Sequence, residues 1–79
     1  MRATVTVFLK PGVLDVQGKA IEGALASMDF TGVSDVRVGR ILTMDVGTAD
    51  AGAAETQVRA MCDRLLANAV IESYRVEIG

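Results

Sequence analysis

The 79-residue sequence contains no histidine and no tryptophan, and it has one cysteine and one proline. Without histidine, the chain lacks the commonest general base and the commonest metal ligand. One cysteine cannot form an internal disulfide. Aromatic residues make up 4% of the chain and the net charge is −2, whereas nucleic-acid binding requires a basic surface with stacking aromatics. These absences argue against most enzyme classes and against a nucleic-acid partner.

Long apolar runs are also absent. No run approaches the roughly 20 residues that a membrane-spanning helix needs. The first eight residues alternate like a β-strand and lack the apolar block and cleavage site of a secretory signal. We therefore expect no membrane association and a cytoplasmic location, which a single cysteine also fits.

Apolar residues are abundant, at 51% of the chain. A chain of this length buries only about 60% of its unfolded surface, and no disulfide compensates for the small core. We expect a single domain over residues 1–79. We also expect a homo-oligomer, because so much apolar surface is best buried between subunits.

The spacing of apolar residues predicts two helices and at least three strands. Alternation predicts strands, and a period of 3.6 residues predicts helices. The predicted strands are residues 2–9 and 70–78, and the predicted helices are residues 16–28 and 51–67. The first helix has an apolar stripe of Ile21, Ala24, Leu25 and Met28, and the second has one of Val58, Met61, Cys62, Leu65 and Leu66. Asp50 is the predicted N-cap of the second helix, and Asn68 is predicted to end it in a left-handed conformation.

Turn and capping residues mark the start of the first helix. Pro11-Gly12 predicts a tight turn, and Asp15 is the predicted N-cap. Gly18 and Gly23 each cost about 1 kcal/mol within a helix relative to alanine. Their presence predicts that another backbone approaches the helix closely at those points.

The order of the middle elements has two interpretations. Within residues 33–46, an apolar face is formed at even positions by Val36, Val38, Leu42, Met44 and Val46, and along it only Arg40, beside Gly39, interrupts. One long strand bent at Gly39 preserves this face, and a three-residue hairpin centred on Gly39 is the alternative. The predicted class is α+β, either β-α-β-α-β or β-α-β-β-α-β, with both helices on one face of a mostly antiparallel sheet. A strand of that length favours a sheet shared between two subunits.

The stretch from Gly12 to Ala20, GVLDVQGKA, is similar to a phosphate-binding loop, whose pattern is G-x-x-x-x-G-K-[ST]. Five residues instead of four separate its glycines, and Ala20 replaces the hydroxyl residue that binds Mg²⁺. Asp15 would also place a carboxylate beside the phosphates. We therefore expect a turn and a helix cap here, with no nucleotide bound.

Other candidate catalytic groups have ordinary structural explanations. Cys62 lies on the apolar stripe of the second helix, where a buried, inert thiol is expected. Asp35 and Asp45 lie on the polar face of residues 33–46, where carboxylates are solvated. We expect no catalytic, cofactor-binding or metal-binding residue in this chain. The candidate partner-binding residues lie around the predicted turns and are Lys10, Gln17, Lys19, Arg37, Gly39 and Arg40.

Three segments resemble one family over nearly the whole chain. They are LKPGVLDVQGKAIEGAL, GVSDVRVGR and CDRLLANAVIESYRVEI. In this order and spacing they are similar to PurS, the small S subunit of formylglycinamide ribonucleotide amidotransferase. The sequence departs from the family pattern at Val16 and Ala69, where prolines are common, and at Ser73, where an acid is common.

The resemblance implies a non-catalytic structural subunit of an amidotransferase in de novo purine biosynthesis. It implies a homodimer or higher oligomer that bridges a large ATP-dependent synthetase and a glutaminase and supports ammonia transfer between them. ATP, Mg²⁺ and glutamine would then be used by the partner subunits, and this chain would bind no cofactor.

The residues alone leave two other functions open. One is a small dimeric domain that binds a metabolite at its interface, with Gly18, Gly23 and Gly39 letting the ligand approach the backbone. The other is an acyl-phosphate hydrolase, which requires an asparagine to position water. The only asparagine, Asn68, lies at a predicted helix end, so this alternative is the weaker one.

Overall fold

Three antiparallel strands form one open sheet in the order β2-β1-β3, with β1 in the centre. The computed structural model describes all residues, 1–79. In chain order its elements are β1 (Arg2–Leu9), α1 (Val16–Ser27), β2 (Gly39–Asp45), α2 (Ala51–Met61), a π-helical turn (Cys62–Leu66) and β3 (Glu72–Ile78). The predicted α+β class and the β-α-β-α-β order are confirmed. None of the helices has the length and apolarity needed to span a membrane.

One face of the sheet packs against α2 and forms the core. Strand β1 has a neighbour on each side and α2 above it, so its alternate apolar side chains are fully buried. The core residues are Ala3, Val5 and Val7 of β1, Val46 after β2, Ala54 and Val58 of α2, and Cys62. The opposite face carries Thr4, Thr6 and Phe8, which are half-buried. The alternation predicted for residues 2–9 therefore decides which face of the sheet is dry.

Helix α1 extends away from the sheet. The predicted turn precedes it, with Gly12 at φ +87°, and the predicted N-cap is present, since Asp15 Oδ1 accepts a hydrogen bond from the Gly18 amide at 2.7 Å. The helix has no substantial contact with a strand or with α2. The chain is consequently elongated, measuring 49 × 24 × 15 Å. The predicted apolar stripe is present but only partly covered: Leu25 is half-buried, and Ile21, Ala24 and Met28 are exposed.

Residues 33–46 contain one strand that is shorter than their alternation suggests. Pairing begins at Gly39, opposite Phe8, and ends at Asp45. Residues 33–38 pair with no strand, so the hairpin alternative and its β-α-β-β-α-β order are wrong. These residues instead run beside the start of α1. Val38 donates its amide hydrogen to Asp15 Oδ2 at 2.6 Å there.

Helix α2 ends in the π-helical turn. Asp50 caps its start as predicted, and the helical conformation continues almost to the end of the predicted span, 51–67. The last turn is closed by a hydrogen bond from the Ala67 amide to the Cys62 carbonyl at 3.1 Å. A π turn contains one more residue than an α-helical turn. Leu65 is therefore rotated out of the predicted apolar stripe and is 82% exposed.

The connection from the π-helical turn to β3 corrects two predictions. Asn68 does not adopt a left-handed conformation; its side-chain oxygen accepts a hydrogen bond from the Val70 amide at 3.0 Å. Strand β3 begins at Glu72 instead of residue 70. Val70 lies outside the strand and is 81% exposed.

Candidate functional site

Most of the predicted partner-binding residues meet at one end of the sheet. There the end of β1, the starts of β2 and β3 and the start of α1 converge around a groove of about 270 Å³. We call this the junction groove, and it is lined by Val7, Phe8, Leu9, Asp15, Gln17, Val38, Gly39, Arg40 and Glu72. Three of the six predicted residues, Gln17, Gly39 and Arg40, line it directly. The structure thus places residues from four separate elements together.

Arg40 anchors the π-helical turn to the sheet. One guanidinium nitrogen lies 2.7 Å from Glu72 Oε2, and the other donates to the Leu66 carbonyl at 2.6 Å. A cation is favourable there because carbonyl groups at the end of a helix carry partial negative charge. The hydrogen bond from Arg40 lowers the pKa of Glu72, and the same bond raises the pKa of Arg40. A charged residue therefore interrupts the apolar face of β2 because it has partners within the chain.

Lys10 and Arg37 also bond to backbone carbonyls of this chain. Lys10 donates through Nζ to the Ala69 carbonyl at 2.7 Å. Arg37 donates through Nη2 to the Lys10 carbonyl at 3.1 Å. These two bonds join residue 10 to the connection before β3 and to the segment before β2.

Gln17 and Lys19 present exposed side chains on the first turns of α1. Gln17 lies at the rim of the junction groove. Lys19 lies outside it and pairs with Glu22 at 3.2 Å, which lowers the pKa of the Glu22 carboxyl. Of the six predicted residues, these two have the side chains most available to another molecule.

Of the two glycines predicted to lie against another backbone, Gly18 does so within this chain, and Gly39, the predicted bend, has a similar contact. A Cβ atom on Gly18 would overlap the Val36 carbonyl oxygen, and one on Gly39 would lie 2.8 Å from the Val7 carbonyl oxygen. A Cβ atom on Gly23 would meet nothing within 4 Å, so the prediction of a close backbone at Gly23 is wrong within the chain. At Gly18 and Gly39, packing of the backbone accounts for the glycine without a ligand.

A second cavity, of about 320 Å³, lies between the end of α2 and β3. Its polar groups are close together: the Tyr74 hydroxyl donates to Asp63 Oδ1 at 2.9 Å, and the Arg59 guanidinium lies 6.0 Å from the Tyr74 ring centre. Cys62 forms part of the wall, and burial raises the pKa of its thiol. Burial thus favours the protonated thiol, and the predicted burial of Cys62 is confirmed.

Sequence reasoning missed Glu72 and the Tyr74–Asp63 pair. Glu72 is 32 residues from Arg40 and Tyr74 is 11 residues from Asp63, so no local spacing connects them. The only signal was indirect, because a charged residue on an apolar face requires a partner of opposite charge. No group of three or more cysteine, aspartate or glutamate side chains is arranged to hold a metal ion.

Asp63→Asn is expected to lower the pKa of Tyr74. The hydrogen bond to Asp63 raises the pKa of the phenol, because a phenolate would face a carboxylate there. Tyr74 is the only tyrosine, so the ultraviolet absorbance of phenolate reports this one group. Asp45→Asn, which removes the 3.2 Å ion pair with Arg2 on β1, is the matched control. Equal titration midpoints in wild type and Asp63→Asn would contradict the pairing.

Comparison with known proteins identifies the family. The family model described as PurS, phosphoribosylformylglycinamidine (FGAM) synthase, matches residues 2–79. The FGAM synthase subunit PurS of Bacillus subtilis is 43% identical over 77 residues, covering 98% of this chain and 90% of that protein. The corresponding subunit of Synechocystis is 42% identical over 74 residues, covering 94% of this chain and 74% of that protein.

Solved structures agree with the sequence comparison. The structure of B. subtilis PurS in a C2 crystal form matches with a TM-score of 0.86 at 43% identity, over 96% of this chain and 94% of that one. A chain of the structure of PurLQS from Thermotoga maritima matches with a TM-score of 0.87 at 28% identity, over 96% of this chain and 93% of that one. The resemblance seen in the three sequence segments is confirmed, and the chain belongs to the PurS family of FGAM synthase subunits.

Proposed function

We propose that this chain is a non-catalytic structural subunit of FGAM synthase in de novo purine biosynthesis. In this proposal it bridges the ATP-dependent synthetase and glutaminase subunits in the cytoplasm and supports ammonia transfer between them. ATP, Mg²⁺ and glutamine are bound by those partners and not by this chain. The observation that carries the proposal is the family match over residues 2–79, together with the likeness to a chain of the T. maritima PurLQS structure.

The chemistry of the chain supports a structural role. The polar groups with the shortest contacts, those of Lys10, Asp15 and Arg40, bond to the backbone of their own chain. Cys62 is buried, and its burial raises the pKa of the thiol. The charged side chains thus hold the fold together at the junction groove and leave the partner subunits to supply reacting groups.

Self-association is the second part of the proposal, and α1 is its proposed contact surface. The radius of gyration is 16.0 Å, whereas a compact chain of this length has about 12 Å. The difference arises because α1 projects from the sheet with exposed apolar side chains at Ile21 and Met28, the latter 65% exposed. A helix with an uncovered apolar stripe gains most by packing on another surface, and we propose that a second copy of this chain supplies it.

A sheet shared between two copies of the chain also remains a prediction. Strands β2 and β3 are the two outer strands, and each has one edge without a partner in this chain. Exposed strand edges readily pair with another chain. Gln17 and Lys19, on the first turns of α1, remain the best placed of the predicted residues for contact with the synthetase or glutaminase.

The proposed function is tested by reconstitution with the cognate synthetase and glutaminase subunits. Leaving this chain out is expected to lower the glutamine-dependent rate at least about tenfold, because ammonia then loses the high effective concentration of a joined complex. Supplying ammonia directly is the control, and that rate is expected to depend much less on this chain. Equal glutamine-dependent rates with and without the chain would refute the proposal.

A further inference from the structure

We propose that the Asp15 carboxylate fixes the direction in which α1 leaves the sheet, and so aligns the apolar stripe of α1 for a second copy of the chain. The inference rests on the self-association proposed above. It starts from the position of α1, which has no substantial contact with a strand or with α2. Its first two turns instead meet the segment before β2, through Asp15, Gly18 and Glu22, and these contacts set its direction.

Asp15 makes more bonds than helix capping requires. An N-cap side chain normally accepts one or two amide hydrogens from the helix that it begins. Asp15 accepts one from Gly18 through Oδ1 at 2.7 Å and another through Oδ2, at 2.6 Å, from Val38. Val38 precedes β2, which is fixed in the sheet by its pairing with β1. One carboxylate therefore joins the start of α1 to the sheet.

The surroundings of Asp15 make this link stiff. The residue is 5% exposed, so water cannot readily replace either bond. Behind it, Gly18 lies against the Val36 carbonyl group so closely that no side chain fits between them. Both contacts join the first turn of α1 to residues 36–38, and together they prevent the helix from swinging.

The link requires a carboxylate specifically. Two backbone N–H donors converge on the side chain, and only aspartate offers two acceptor oxygens at this length. Serine is a good N-cap but has one shorter side-chain oxygen, so it can cap α1 without reaching Val38. The bonds from Val38 and Gly18 hold the pKa of the Asp15 carboxyl below its usual value, which keeps both oxygens available as acceptors.

Asp15→Ser separates the link from helix capping, and Asp50→Ser is the matched control. Asp50 caps α2 through a single bond to the Gly52 amide at 3.0 Å, so serine replaces it there without loss of a second contact. Asp15→Ser is expected to keep the helical circular dichroism and to speed exchange of the Val38 amide hydrogen at least about tenfold, because that amide loses a charged acceptor. Residual dipolar couplings of α1 relative to the sheet are expected to shrink.

The dissociation constant of the self-associated form is expected to rise at least about tenfold in Asp15→Ser, a loss of about 1.4 kcal/mol. Asp50→Ser should change none of these quantities.

The readouts distinguish failure of the link from failure of the proposed self-association. If the wild-type chain is a monomer in light scattering, the self-association is refuted, while Val38 exchange and the dipolar couplings still report on the link. If Asp15→Ser leaves both of these unchanged, the link is refuted whatever the oligomeric state. If α1 loosens and the dissociation constant stays the same, Asp15 does not align α1 for a second copy.

Discussion

Gly18→Ala is expected to lower the free energy of unfolding by about 2 kcal/mol, the usual effect of forcing an extra carbon into a packed site. The added Cβ atom would overlap the Val36 carbonyl oxygen and lie 2.9 Å from its carbon. The Val36 backbone cannot rotate away from the added carbon, as the end of a flexible side chain could. The first turn of α1 must therefore separate from residues 36–38 or distort. Urea-induced unfolding followed by circular dichroism measures the change.

Gly23→Ala is the matched control and is expected to have the opposite sign. Gly23 is in the same helix, but a Cβ atom there would meet nothing within 4 Å. Alanine should stabilise the helix by about 0.5–1 kcal/mol, because glycine loses more conformational freedom on folding. Helical spacing also places Gly23 on the side of α1 away from the apolar stripe. Similar losses at both positions would contradict the arrangement of α1 against residues 36–38.

Leu25→Asp is expected to weaken self-association about 30-fold or more, the effect of losing about 2 kcal/mol at a central interface position. Leu25 lies in the middle of the α1 stripe, between Ile21 and Met28. In a complex through that stripe, a carboxylate there would be removed from water without a partner, which is unfavourable. Sedimentation over a range of concentrations measures the dissociation constant.

Leu65→Asp is the control for a general effect of replacing leucine by a charge. Leu65 is the most exposed large apolar side chain of the chain, at 82%, but it belongs to the π-helical turn and not to α1. The Leu65→Asp substitution is expected to leave the dissociation constant for self-association unchanged. If Leu65→Asp weakens self-association and Leu25→Asp does not, the second copy packs against the π-helical turn instead of α1.

The sequence predicted the elements best where their environment is repetitive. Strand β1 is buried on one face along its whole length, so Ala3, Val5 and Val7 alternate without interruption. Asp15 and Asp50 were predicted as N-caps from their position alone, because capping depends on atoms within three residues. Local rules are sufficient where the partners are local.

Residues 33–38 show why other predictions were less successful. Val36 and Val38 continue the alternation of β2, and extended backbone alternates whether or not another strand lies beside it. In the structure these residues lie beside the start of α1, where Val38 bonds to Asp15. Sequence spacing cannot show that partner, which is 23 residues away.

Leu65 and Arg40 illustrate two further limits. The stripe that included Leu65 assumed 3.6 residues per turn, and the π-helical turn changes that period within the helix. Arg40 is a candidate partner-binding residue in the sequence because a charge on an apolar face has no local partner there. Its partners, Glu72 and the Leu66 carbonyl, come together only when β2 and β3 are both paired with β1. Its role within the chain therefore follows from the topology of the sheet.

The central position of β1 has a consequence for how the chain folds during synthesis. Synthesis proceeds from the N-terminus at about 5–20 residues per second, and β1 is made first. One of its partners, β3, follows only at Glu72–Ile78, after both helices. Until then one edge of β1 lacks its partner strand, and this pairing joins residues far apart in the chain, which slows folding. We therefore expect the chain to be most prone to aggregation before β3 joins the sheet.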